Sequence, residues 1–145
     1  MRYVFTPLTH ALWPVVVDKL GVRWTEDTRG ILVYDQQAKS VIAGVVFGNW
    51  TFSSVQVHQW VESSLVLRHG LYNEVVRYAF VEAGLKKLVG VVPEDNEAAI
   101  RLNKHIGFRV THKIEDGFKP GVASVIMEAN HEDLARWFPK QQEAA

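Results

Sequence analysis

The sequence predicts a mixed α/β fold built on one sheet, mostly antiparallel, and three observations predict it. Short apolar runs separated by turn residues fill the stretch from Ile31 to Glu62. A long amphipathic segment then leads into a continuous apolar run, Leu88 to Val92, the pattern of a helix followed by a buried strand. A second helix and two further strands close the chain.

Composition bounds the problem. A chain of 145 residues fits one domain, and a domain of that size buries roughly 70% of its unfolded surface. At 48% hydrophobic residues a core forms without staples. The absence of cysteine excludes disulfides, a thiol nucleophile and thiolate metal sites, and suits a reducing cytoplasm. Sixteen basic residues balance sixteen acidic ones, so no overall field draws the chain to nucleic acid or an anionic membrane. The N-terminal stretch is interrupted by Thr9, His10 and Pro14 and reads as neither signal peptide nor membrane span. No histidine pair has metal-ligand spacing, and no metal is expected.

Met1 to Thr6 reads as a short strand. Leu8 to Leu20 has helical spacing with Gly21 as its stop, and Pro14 requires that helix to kink or to begin late. Ile31 to Tyr34, Val41 to Phe47 and Ser54 to Glu62 form a three-strand meander, with Gly48-Asn49 as one turn. In the last of these Val55, Val57, Gln59 and Val61 share one face; Gln56, His58, Trp60 and Glu62 share the other. Leu67 to Ala83 is a long helix with Leu67, Leu71, Val75 and Ala79 inward and His69, Asn73 and Arg77 wet. Leu88 to Val92 reads as a buried strand in parallel pairing. Asp95 or Asn96 caps a helix that runs to Ile106 and breaks at Gly107. Phe108 to Ile114 and Val122 to Met127 are strands joined through DGFKPG, and Asn130 caps a last short helix, HEDLARWF. Gln141 to Ala145 reads as a loose tail.

The string DNEAAIRLNKHIGFRV, Asp95 to Val110, resembles the segment of the GNAT N-acetyltransferase superfamily that follows its fifth strand. Asn96, Ala99, Leu102, Gly107 and Phe108 match in order and spacing, and the surrounding elements extend the resemblance over roughly Ile31 to Met127. The resemblance implies helices on both faces and a sheet splayed near Gln59 to Glu62 and Leu88 to Val92. It implies acetyl-CoA as co-substrate, its pantetheine arm paired with the backbone of Gln59, Trp60 and Val61 and contacting Asn96. Its pyrophosphate would lie against the Leu67, Arg68, His69, Gly70 and Leu71 segment at a helix start. The implied reaction is attack of a neutral amine on the thioester.

Two departures stand out. The family's glycine-rich phosphate loop is replaced by SSLVLRHGLY, with Gly70 alone in a matching place. The family's tyrosine acid is replaced by Asn103, an amide with no proton to give, which can serve the sulfur only by a hydrogen bond. Glu62 and His58, on the fourth strand and facing as Trp60 does, are the candidate bases. Trp24, Trp50 and Trp60 are candidate walls of an acceptor pocket. The expectation is an acetyl-CoA-dependent N-acetyltransferase acting on an amine of a small molecule or protein, cytoplasmic, with a homodimer compatible. The alternative is a catalytically silent GNAT-fold protein that binds acyl-CoA or a partner.

Overall fold

A computed structural model describes residues 1–140, so the expected tail Gln141 to Ala145 lies outside the described residues. Seven strands make one sheet: β1 (Tyr3–Pro7), β2 (Arg29–Asp35), β3 (Ser40–Gly48), β4 (Ser54–Val61), β5 (Lys87–Pro93), β6 (Arg109–Lys119) and β7 (Val122–Asn130). Their order is β1-β2-β3-β4-β5-β7-β6. Every pairing is antiparallel except β4 with β5, which is parallel across a helical crossover. That one parallel pair holds only at Ser54–Lys87, Val55–Leu88 and Gln56–Val89. Beyond Gln56 the two strands diverge, and β4 from Val57 to Val61 pairs with β3 alone. The sheet therefore opens between its fourth and fifth strands, as expected.

Alternation along β4 divides the side chains between two cores. Val55 and Val57 enter the larger one, with Leu71, Val75 and Ala79 of the following helix. Trp60 packs on the opposite face, beside Val16, Leu32 and Val46. Each Val or Leu so buried contributes about 1.5–3 kcal/mol. Helices cover both faces: α1 (Trp13–Leu20) on the Trp60 side, and α3 (Leu71–Val76) and α4 (Glu97–Ile106) on the other. No helix of the described residues is long and apolar enough to cross a membrane.

Of the two outcomes that Pro14 allowed, the first helix takes the late start: a 3₁₀ turn at His10–Leu12 precedes α1, and Pro14 sits in its first turn, where no amide is needed. Three other elements differ from expectation. The long helix is not continuous. A single turn, α2 (Leu65–Arg68), precedes Gly70, whose φ of +106° is open to glycine and costly to other residues. The chain restarts there as α3 and widens into a π-helical turn over Arg77–Glu82. The connection of β6 to β7 is shorter than DGFKPG. Lys119 pairs with Val122, and Pro120-Gly121 make the turn, Gly121 at φ +81°. Lastly, Asn130 ends β7, and HEDLARWF forms only a 3₁₀ turn at Ala135–Trp137. Asn130 and Asp133 still exchange capping hydrogen bonds at 2.9 Å, but Pro139 follows too soon for a helix to propagate.

Candidate active site

The divergence of β4 and β5 leaves a cavity of about 130 Å³ that passes through the sheet. Leu20 of α1 lies at one end; Ala99 and Asn103 of α4 lie at the other. Val57, His58 and Gln59 of β4, Val91, Val92 and Pro93 of β5, and Asn96 complete the lining. Past Gln56, the edge of β4 that faces this slot has no strand partner.

His58 occupies a junction. It lines the slot and also a second cavity of about 210 Å³ on the α1 face, with Val22, Arg23, Thr25, Thr28 and Asn49. Burial pushes its pKa below the ordinary histidine value, so the ring is neutral at pH 7 and able to accept a proton. No carboxylate lines this second cavity, and among the described residues Arg23 has no acidic partner.

Asn96 caps α4, its Oδ1 accepting from Ala99 N at 3.1 Å, and it lines the slot as well. The cap leaves both amide hydrogens of Asn96 for another partner. Asn103 is buried and receives a hydrogen bond from Gln59 Nε2 at 2.8 Å. Gln59 in turn accepts from the Tyr72 hydroxyl at 2.6 Å.

A third cavity, of about 410 Å³, gathers Arg68, His105 and Arg136 around Ser64, Leu67 and Trp137. Two arginines and a histidine so placed suit a phosphorylated ligand in a chain whose net charge is zero. Among the described residues no cluster of three His, Asp or Glu could hold a metal.

Several expected residues lie elsewhere. Glu62 stands just past the end of β4, exposed, 3.8 Å from Lys19 Nζ, and lines neither the slot nor the His58 cavity. The amides of Leu67, His69 and Gly70 already donate to the carbonyls of Ser64, Leu65 and Leu67. They are committed to the α2 turn and do not form an open phosphate cradle. Leu71 is buried at the head of α3, and the Arg68 side chain alone of this group reaches the basic cavity with Leu67. Trp60 packs across Gly44 with its indole N–H buried and without a partner, and Val61 packs against the larger core, so only their backbones remain for a ligand. Trp24 stacks edge-on against Trp13 and His10, and Trp50 donates to Asp27 O at 2.8 Å. None of these three tryptophans lines the slot, the His58 cavity or the cavity of Arg68. His105 and Arg136 were missed because their approach to Arg68 crosses 37 and 68 positions of sequence, where no spacing rule applies.

No protein-family model matches the chain, and no curated protein matches it in sequence. Its structure has close likenesses. Spermidine/spermine N-acetyltransferase SpeG from Vibrio cholerae, crystallised with manganese ions, superposes at a TM-score of 0.73 and 16% identity, over 93% of this chain and 96% of that one. Spermidine N-acetyltransferase from Vibrio cholerae in complex with CoA and spermine gives 0.72 and 14%, over 92% and 98%. The open seven-stranded sheet of this chain is therefore the fold of those acetyltransferases.

Proposed function

We propose that this chain, folded as a GNAT acetyltransferase, transfers an acetyl group from acetyl-CoA to the amine of a small molecule. One observation carries the reading: neutral His58 stands where the slot through the sheet meets the Arg23 cavity. A base at that junction faces a thioester on one side and an amine on the other.

The residues present fit acetyl-CoA. The unpaired edge of β4 at Gln59, Trp60 and Val61 offers backbone groups to the pantetheine amides, and Asn96 offers its free amide hydrogens. Arg68 and Arg136 offer guanidinium groups, and His105 a ring N–H, to its phosphates. Bound there, acetyl-CoA supplies an acyl group already activated as a thioester.

The chain's own residues do the rest. The amine nitrogen bonds to the carbonyl carbon, and its proton passes to His58 directly or through a water. The C–S bond breaks with its electron pair on sulfur, which is protonated from solvent, and His58 returns its proton to solvent. The relative crystallised with CoA is described with spermine, a polycation. The His58 cavity here has Arg23 and no carboxylate, so the acceptor is an amine on a neutral or anionic molecule rather than a polyamine.

The test is calorimetric titration of acetyl-CoA, followed by acetylation assays on amino acids, amino sugars and spermidine. Binding with turnover on an anionic or neutral amine supports the reading, and no binding overturns it. A second reading, a silent acyl-CoA-binding protein, is favoured by the narrowness of the slot and the engaged amides before Gly70. It predicts tight binding with no acetylated product.

A further inference from the structure

Four side chains form a chain of contacts that runs from the core to the slot, where its two middle members, Gln59 and Asn103, line the wall. The hydroxyl of wholly buried Tyr72 donates to Gln59 Oε1 at 2.6 Å, and Gln59 Nε2 donates to Asn103 Oδ1 at 2.8 Å. Asn103 Nδ2 then reaches Met127 Sδ at 3.7 Å. Its direction is fixed from both ends. Burial and desolvation push the Tyr72 phenol far up, so it stays protonated and donates. A thioether accepts weakly and cannot donate, so the group facing Met127 must be an N–H. With its carbonyl occupied, Asn103 turns its amide hydrogens toward β5, where a β-carbon on Gly90 would lie 3.5 Å from Nδ2. Its one acceptor there is a sulfur that binds hydrogen poorly, and Asn103 also lines the slot.

We propose that Tyr72 and Gln59 are positioning residues that hold the Asn103 amide as a hydrogen-bond donor to the thiol sulfur of the acyl donor. This rests on the acetyltransferase reading above. As the C–S bond breaks, its electron pair moves to sulfur, and an Asn103 N–H aimed at that atom stabilises the growing negative charge without giving up a proton. A thiolate is a far better acceptor than the thioether of Met127, so the contact strengthens in the transition state more than in the unloaded protein. The relay removes the rotational freedom that would let the amide present its oxygen instead, which would repel the charge. Elements far apart in sequence meet in it: Tyr72 and Gln59 are 13 positions apart, Gln59 and Asn103 are 44.

The test is a set of variants, of which those at Tyr72 and Gln59 conserve volume. Tyr72→Phe and Gln59→Met should each lower kcat by about tenfold, the scale of one hydrogen bond to a charged group. The acetyl-CoA Kd and the acceptor KM should stay unchanged. Asn103→Ala should show the same loss, and Tyr72→Phe added to it should cost nothing further, since Tyr72 acts only through Asn103. A readout independent of turnover is the Asn103 side-chain NH₂ signal in NMR spectra of the ligand-free protein. It should exchange slowly in the wild type and faster in Tyr72→Phe. Full kcat in Tyr72→Phe, or multiplied losses in the double variant, overturns the relay while leaving the acetyltransferase reading intact. Failure of the wild type to bind acetyl-CoA overturns that reading and the sulfur's role together, and the NMR measurement then reports whether the relay exists without it.

Discussion

Trp60 lies flat across the Cα of Gly44, its six-membered ring where a side chain at position 44 would begin. The two residues face each other across the β3–β4 ladder, and Leu32 closes the space from the next strand. Gly44→Ala should therefore destabilise the protein by about 1–3 kcal/mol through overpacking. Urea denaturation would measure it, and an unchanged midpoint would show that the indole moves aside freely.

Gly70 poses the opposite case. A β-carbon there meets Phe5 only at 3.6 Å, an ordinary contact, so space is not the obstacle. The obstacle is the φ of +106° between α2 and α3. Gly70→Ala should cost about 1–2 kcal/mol by backbone strain alone, again read by denaturation.

For the chemistry, His58→Gln should lower kcat by about 100-fold with the acetyl-CoA Kd unchanged, the usual scale for losing a general base. Glu62→Gln should retain wild-type turnover, because Glu62 stands outside the slot beside Lys19. A reversal of these two results would return the base to Glu62.

The half-buried His58 imidazole also has a consequence for stability. Its folded pKa lies below the unfolded value near 6.5, so below that pH the unfolded chain binds a proton that folded His58 refuses. Stability should therefore fall as the pH drops from about 6.5 toward the folded pKa, and be fully present above that window. Comparing denaturation of wild type and His58→Gln at pH 7.5 and 5.5 checks it: the variant should lose less on acidification.

Arg136→Ala should weaken acetyl-CoA binding roughly fivefold at low salt and less as salt rises, as expected of an exposed ionic contact. Arg68→Ala should behave alike, since both side chains line one cavity. Insensitivity of both variants to salt would remove the basic cavity from the cofactor's path.

Much of this architecture was legible locally. Asn96 announces its cap by residue type and by the helix that follows, and the cap is there. The alternation of Val55, Val57, Gln59 and Val61 against His58 and Trp60 survives intact because a strand has only two faces. Gly70 was harder. A glycine within a helical pattern is consistent with a tolerated interior position, and only the positive φ it takes in the folded chain marks the break. The basic cavity and the Tyr72–Gln59–Asn103 chain were out of reach, since each joins residues whose meeting depends on how whole elements pack. Tyr72 in particular reads as one more inward residue of a helix; its hydroxyl matters only because Gln59 lies beneath it.

The slot pierces the sheet instead of indenting one side of it, with Leu20 at one mouth and Ala99 and Asn103 at the other. On the proposed acetyltransferase reading this gives the two reactants separate doorways: the thioester would arrive from the α3 and α4 side and the amine from the α1 side. Neither reactant would then have to leave before the other enters, which allows direct transfer within one ternary complex. Initial-rate plots for such an enzyme intersect instead of running parallel. Inhibitors that fill the Arg23 cavity would compete with the amine and leave the apparent affinity for acetyl-CoA untouched.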